Sequence, residues 1–303
     1  MSTKQIWFKG KMVPWEQANV HVMTHALHYG SSIFEGIRSY PTPNGAAIYR
    51  LGPHIRRLYD SCKIYNMEIP FSPAEITQAT KDVVRVNNMT NAYLRPLVWR
   101  GEGPLGLDGK GNPIEAMVAA VEWGAYLGAD GLKNGVDVGV SSWNRLASNT
   151  IPTMAKAGGN YLSSFLIKSE ALRNGYNEGI ALDTRGNVAE GSGMNLFVVR
   201  DGVLYTPPIT ANILPGITRD SIMKIAKDLK IEVRETEMQR EALYIADELF
   251  FCGTAAEVTP IRSVDRIVVG NGSIGELTNA IQEQFFGLFA GKVEDKHGWL
   301  DYV

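Results

Sequence analysis

Short apolar runs of strand-like composition alternate with amphipathic, helix-like segments along the whole chain, with no internal repeat and no low-complexity tract between them. Such a pattern demands sheets with helices laid on them, because each apolar face must find a partner layer. Ile6-Trp7-Phe8, Gly10 and Lys11-Met12-Val13 read as a hairpin, and residues 33–40 and 46–50 as strands around Pro41-Thr42-Pro43-Asn44-Gly45. Residues 53–66 are helical, with Ile55, Leu58, Tyr59 and Cys62 on one stripe. Ser72-Pro73 opens a second helix, Ser72 as N-cap and Glu75 in the first turn. Residues 93–100 and 116–123 are strand-like, and the glycine-rich stretch 101–113 between them reads as a functional lid.

A fresh strand pattern starts at Val136-Asp137-Val138-Gly139-Val140, so the expected division is a small domain over 1–124, a linker over 125–135 and a larger domain over 136–303. Beyond it, Asn160 is the expected N-cap of a helix that buries Leu162, Phe165, Leu166 and Leu172 and stops at Gly175. Residues 189–199 and 202–205 read as a hairpin carrying Glu190. The segment 214–220 leads into a helix with Ile222, Ile225, Ala226 and Leu229 inward, and residues 248–252 form a buried strand that ends at Gly253-Thr254-Ala255-Ala256-Glu257. The fold class is α+β or α/β in two domains.

Composition removes several classes of function. A net charge of −2 without a basic stripe argues against nucleic acid. Two distant cysteines, Cys62 and Cys252, make neither a zinc site nor a disulfide framework and read as buried free thiols. The first 17 residues mix lysines with isolated aromatics and do not read as a signal peptide, and no apolar run reaches membrane-spanning length. The expected location is the cytoplasm.

The chemistry concentrates in Lys156-Ala157-Gly158-Gly159-Asn160-Tyr161 and Glu190-Gly191-Ser192-Gly193-Met194-Asn195-Leu196-Phe197. A lysine beside two glycines can bring its amine to a cofactor packed on bare backbone, and a glutamate can keep a heterocyclic nitrogen protonated. An imine-forming amine with an anion for a pyridine nitrogen is what pyridoxal phosphate requires. Pro215-Gly216-Ile217-Thr218 sets backbone amides at a helix start, either an anion site or an ordinary capped helix. Gly253-Thr254-Ala255 offers a hydroxyl and amides for a phosphate or carboxylate, or is a plain turn. His54-Ile55-Arg56-Arg57-Leu58 places two arginines on an apolar helix, one of them able to face inward and pair with a phosphate.

Taken together, residues 26–260 resemble the branched-chain amino-acid aminotransferases, fold type IV pyridoxal-phosphate enzymes. The resemblance rests on Ala26-Leu27-His28-Tyr29-Gly30, Phe34-Glu35-Gly36-Ile37-Arg38, Arg57-Leu58, Tyr93-Leu94-Arg95-Pro96 and Ser141-Ser142-Trp143-Asn144-Arg145. It continues through the lysine and glutamate blocks, Leu214-Pro215-Gly216-Ile217-Thr218-Arg219 and Gly253-Thr254-Ala255-Ala256-Glu257. It implies a smaller open α/β sandwich and a larger pseudo-barrel domain. It also implies reversible transamination between L-leucine, L-isoleucine or L-valine and 2-oxoglutarate, giving branched-chain 2-oxo acids and L-glutamate by a ping-pong route. By this resemblance Lys156 would hold the cofactor covalently and carry the proton, Glu190 would pair with the pyridine nitrogen, and Tyr161 would bond the phenolate oxygen. Arg57, the Ile217 and Thr218 amides and the Thr254 hydroxyl would hold the phosphate. The Thr254 and Ala255 amides with the Tyr93 hydroxyl would take the substrate α-carboxylate. Tyr29, Phe34, Gly36, Trp123 and Tyr126 would wall the side-chain pocket, and Arg95, with Tyr29 and Tyr126, would receive a distal carboxylate. The family's homo-oligomers, dimers or hexamers, are implied as well. Two related activities on the same scaffold are alternatives: D-amino-acid aminotransferase, whose Arg-x-His pair contrasts with Tyr93-Leu94-Arg95, and aminodeoxychorismate lyase.

Overall fold

The computed structural model describes residues 3–303, which separate into two units. Residues up to Trp123, with Ala155–Gly159 and Phe289–Val303, make the first; Gly124–Met154 and Asn160–Leu288 make the second. The expected division at 125–135 follows chain order alone. The two later segments join the first unit through backbone pairing, Ala157 bridging to Ile33 and the last strand lying beside residues 47–49.

The first unit begins β1 (Gln5–Phe8), β2 (Lys11–Pro14), α1 (His25–Tyr29), β3 (Ser32–Phe34), β4 (Ile37–Thr42) and β5 (Gly45–Tyr49). It continues α2 (Leu51–Ile64), α3 (Pro73–Val86), β6 (Ala92–Arg100) and β7 (Ile114–Val121). The second unit runs α4 (Gly128–Asn134), β8 (Val136–Val140), α5 (Tyr161–Arg173), β9 (Glu178–Leu182), β10 (Val188–Gly191), β11 (Asn195–Arg200) and β12 (Val203–Thr206). It ends α6 (Ile217–Asp228), β13 (Val233–Glu235), β14 (Glu248–Gly253), β15 (Glu257–Val264), β16 (Ile267–Val268) and α7 (Glu276–Phe289), and β17 (Leu300–Tyr302) returns to the first unit.

The sheet of the first unit is antiparallel in the order β17-β5-β4-β6-β7-β1-β2, with β3 also on β6. The single strand expected over 33–40 is interrupted at Glu35-Gly36: β3 pairs with residues 97–99 and β4 with 92–94, and the Glu35 amide bonds the Pro96 carbonyl at the break. α2 buries Leu51, Ile55, Leu58 and Cys62, and α3 buries Ile76, Ala79, Val83 and Val84, in one core with Ile37, Ile48, Leu94 and Val118. Full burial of each large aliphatic side chain contributes about 1.5–3 kcal/mol. Ser72 forms the expected N-cap as a complete capping box with Glu75. The start of α2 is completed from the far end of the chain, since the Leu51 amide donates to Asp301 Oδ2 at 3.1 Å and the Arg50 amide to the Trp299 carbonyl at 2.7 Å.

The sheet of the second unit has the order β10-β9-β8-β15-β14-β11-β12-β13, with β16 on β15. β8 is parallel to both β9 and β15. Residues 189–199 are therefore two strands rather than one arm of a hairpin: β10 pairs with β9, while the hairpin joins β11 to β12. The turn 192–194 carries the chain from one to the other, and the Gly191 amide donates to the Met194 carbonyl, so the sheet curls back on itself. Its core contains Val138, Ile180, Leu196, Leu249, Phe251 and Ile261.

Two expectations for α5 are corrected. Asn160 makes no side-chain cap; it is helical itself (φ −65°, ψ −27°), and its amide group donates to the Pro152 carbonyl instead. The buried face is Ser164, Ile167 and Ala171, whereas Leu162, Phe165, Leu166 and Leu172 are all exposed, Leu166 the least. Gly179 of β9 explains the inversion: its bare Cα lets the backbone and side chain of Ile167 come into contact, so the small-residue stripe is the one that docks. Both cysteines are buried free thiols, as expected. Among the described residues no helix is long and apolar enough to cross a membrane, and no cluster of potential metal ligands occurs.

Candidate active site

Within the first unit, Lys156 lies on the segment that β3 captures. Its carbonyl accepts from the Phe34 amide (3.0 Å) and its own amide donates to Ser61 Oγ of α2 (3.1 Å). With the backbone held on both sides, the side chain projects so that Nζ stands 4.9 Å from the centre of the Phe34 ring. The Arg95 guanidinium lies 4.5 Å from that same ring, and its Nη2 donates to the Tyr93 hydroxyl at 2.9 Å. Tyr93 meets Trp123 edge to face, ring centres 4.4 Å apart. Gly36 is required here: a Cβ on it would collide with the Tyr93 hydroxyl. Phe34, Gly36, Tyr93, Arg95, Trp123 and Lys156 thus gather in one aromatic, cation-bearing cluster. The Tyr29 hydroxyl turns elsewhere, donating to the Leu105 carbonyl of the glycine-rich stretch at 3.0 Å.

Arg57 faces inward from α2, while Arg56 stays in solvent with Asp60. The Arg57 fork grips Glu35 through Nε to Oε1 (2.6 Å) and Nη2 to Oε2 (2.9 Å), and His54 Nδ1 lies 2.7 Å from Oε2. Burial alone would raise the Glu35 pKa, but the adjacent Arg57 and His54 outweigh it and hold the carboxyl well below the usual range. Burial lowers the His54 pKa, and nearby Arg57 and Lys156 add to that against the pull of Glu35. A neutral His54 facing a carboxylate must donate from Nδ1, because the carboxylate only accepts.

In the second unit, Glu190 ends up almost inaccessible on β10. It bonds Arg145 Nη2 at 2.8 Å and Asn195 Nδ2 at 3.0 Å, and accepts from the Leu214 amide at 3.2 Å. Asn195 also donates to the Leu214 carbonyl and lies so close to Gly216 that any side chain there would collide with its Oδ1. One knot of residues therefore positions both the Glu190 carboxylate and the start of α6, whose first residues are Ile217 and Thr218. Gly216 precedes that helix in an extended conformation and has no oxygen with which to cap it, which leaves the positive end of the helix aimed at whatever lies before it.

Thr254 and Ala255 form the turn between β14 and β15, and the preceding Gly253 packs against Met194. Tyr126 bonds Ser192 of the same 192–194 turn, and the Lys168 amine lies 5.1 Å over its ring. Burial pushes the Tyr126 hydroxyl up to about 12, so it is a neutral donor at physiological pH. Tyr161 is the half-buried first residue of α5. Tyr126, Glu190, Thr218 and Thr254 are in this way tied to one turn and one helix start.

Each unit by itself carries groups of the kind pyridoxal phosphate requires: the first a primary amine and an inward arginine, the second a buried carboxylate paired with an arginine and a helix start without a side-chain cap. Glu35 and His54 in the first unit, and Arg145 and Asn195 in the second, hold these groups in place without having been assigned roles from the sequence. A charged residue inside the apolar run Ile33-Phe34-Glu35-Gly36-Ile37 was the available signal for Glu35.

Comparison with known proteins agrees with the geometry. A family model for class IV amino-transferases matches residues 32–264. A branched-chain-amino-acid aminotransferase of Escherichia coli (strain K12) is 58% identical, covering 100% of this chain and 99% of its own. The crystal structure of an Escherichia coli branched-chain amino acid aminotransferase superposes with a TM-score of 0.98 at 57% identity, covering 99% of each chain. That of the branched-chain amino acid aminotransferase from Thermobaculum terrenum, in its PLP-bound holo-form, gives 0.91 at 35% identity over 98% of this chain and 97% of the other.

Proposed function

The chain belongs to the class IV aminotransferases, and within them to the branched-chain-amino-acid aminotransferases; from that premise we propose how its residues divide the work. The enzyme uses pyridoxal phosphate and transfers amino groups reversibly between branched-chain amino acids and 2-oxoglutarate. When bound, the cofactor supplies the carbonyl that receives the amino group and the ring that makes the substrate Cα proton removable.

With the cofactor bound, Lys156 would hold it through the side-chain amine, and the same amine would accept the proton leaving the substrate Cα. Glu190, paired with Arg145, would hold a proton on the pyridine nitrogen. Tyr161 donates to the phenolate oxygen. Arg57, the amides of Ile217 and Thr218 and the hydroxyl of Thr254 take the phosphate, and the Thr254 and Ala255 amides with Tyr93 take the α-carboxylate. Phe34, Gly36, Trp123, Tyr29 and Tyr126 receive the side chain. Tyrosines suit both a hydrocarbon and an anion, offering ring faces to one and hydroxyls to the other.

The observation that carries the substrate reading is Arg95, bonded to Tyr93 and set over Phe34. It puts a fixed cation at the edge of an aromatic wall, where a distal carboxylate can reach it without displacing a hydrocarbon. Tyr93-x-Arg95 also sets the chain apart from the D-specific alternative. The test is the visible spectrum of the purified enzyme with L-isoleucine and, in parallel, D-alanine. Loss of the bound-cofactor band with L-isoleucine only is the expected result; loss with D-alanine instead would move the enzyme to the D-specific class.

The working assembly is a homo-oligomer, a dimer or hexamer, in the cytoplasm. Supporting self-association is the apolar face that α5 leaves exposed, Leu162 and Phe165 being 71% and 66% accessible.

A further inference from the structure

A carboxylate with no solvent access is tolerated only where donors surround it. Glu35 is such a group: it is wholly buried, and its two oxygens are taken by both N–H arms of Arg57 and by His54. Backbone hydrogen bonds hold the elements that present these groups. Glu35 occupies the break between β3 and β4 with its amide fixed to Pro96, and His54 and Arg57 lie three residues apart on one face of α2. His54 is itself only 1% exposed.

We propose that Glu35, supported by His54, is a positioning residue that acts through Arg57, fixing the orientation of the guanidinium that takes the cofactor phosphate. This rests on the phosphate role given to Arg57 above. The charges make the idea separable from simple electrostatics. Glu35 and Arg57 neutralise each other and His54 is neutral, so the phosphate meets directed N–H groups instead of a surplus positive charge. Removing the Glu35 charge therefore strengthens the attraction in a purely Coulombic account, yet weakens binding if orientation is what counts.

The experiment follows cofactor release from the full-length holoenzyme, then rebinding of pyridoxal phosphate and of pyridoxal, which lacks the phosphate, to the resolved protein. Glu35→Gln is expected to weaken pyridoxal phosphate about 10- to 100-fold, the range for losing hydrogen bonds to a charged group, and to leave pyridoxal nearly unchanged. Glu35→Gln added to Arg57→Ala is expected to cost nothing further, because the residue acts through the arginine. Equal or tighter binding of pyridoxal phosphate by Glu35→Gln, or equal losses for both ligands, overturns the proposal. If Glu35→Gln does not fold, His54→Gln carries the same test, with a smaller but still phosphate-selective loss expected and an unselective one refuting. Arg57→Ala separates the two levels of the argument. If it fails to discriminate between the ligands, the phosphate role itself is wrong; if it discriminates and Glu35→Gln does not, only the positioning role falls.

Discussion

Replacing Arg145 with methionine isolates the electrostatics that hold Glu190 in place. The two side chains are 6% and 5% exposed and 2.8 Å apart, so the substitution strands a carboxylate where water cannot reach it. Breaking a buried ion pair from one side costs about 3–5 kcal/mol. Asn195 and the Leu214 amide still donate to Glu190, which holds the loss near the lower end, about 3 kcal/mol. At roughly 2–4 °C per kcal/mol for a unit of this size, the melting temperature of the resolved enzyme falls by about 6–12 °C at pH 7. Scanning calorimetry reads this directly. The decisive comparison is the double variant Arg145→Met/Glu190→Gln: a neutral amide no longer needs a counter-ion, so the second change recovers part of the loss although it removes a proposed catalytic group. A drop below about 1 kcal/mol for Arg145→Met, or a double variant less stable than the single one, would show that the pair is not what stabilises this region.

Two further outcomes follow from the same geometry. Arg95→Ala should slow the glutamate half-reaction about 30-fold or more, as expected when one member of a charge pair is truncated, and the isoleucine half-reaction by only a few-fold; single-turnover rates losing equally with both substrates would make Arg95 structural. Asp137, bonded by Arg262 and Ser263 despite partial burial, has its pKa lowered from 3.8 to about 2, so the native state binds its proton less tightly than the unfolded chain does. Its stabilisation is therefore present above about pH 4 and lost as pH falls toward 2, and the melting temperatures of wild type and Asp137→Asn should differ at pH 7 and converge in acid; a constant offset across that range would contradict the assignment.

Local signals translated well where the partners are close in sequence. The Ser72 N-cap with Glu75 in the first turn and the buried stripe Ile55, Leu58 and Cys62 needed only spacing to be read. The exposed stripe of α5 did not, because periodicity identifies an apolar face without saying what covers it, and the docking side was decided by a glycine on β9. The split between β10 and β11 escaped for a related reason: their pairing partners, residues 180–182 and 248–252, are distant choices that an unbroken apolar run does not encode. At the site, residues with unusual chemistry for their surroundings stood out, Lys156 beside two glycines above all. The groups that orient them did not, since Glu35 meets His54 and Arg57 across 19 and 22 residues, and Glu190 meets Leu214 across 24.

The dependence of α2 on Asp301 and Trp299 has a temporal side. Synthesis proceeds from the N-terminus, and domains generally fold as their chain emerges. The first unit nevertheless cannot pair β5 with its outer neighbour β17, nor complete the first turn of the helix carrying His54 and Arg57, until residues 299–302 have left the ribosome. The first unit is thus completed only by residues that follow the second unit in the chain, and a nascent chain stalled short of Trp299 has all the strands of the second unit while the β5 edge of the first is still unpaired.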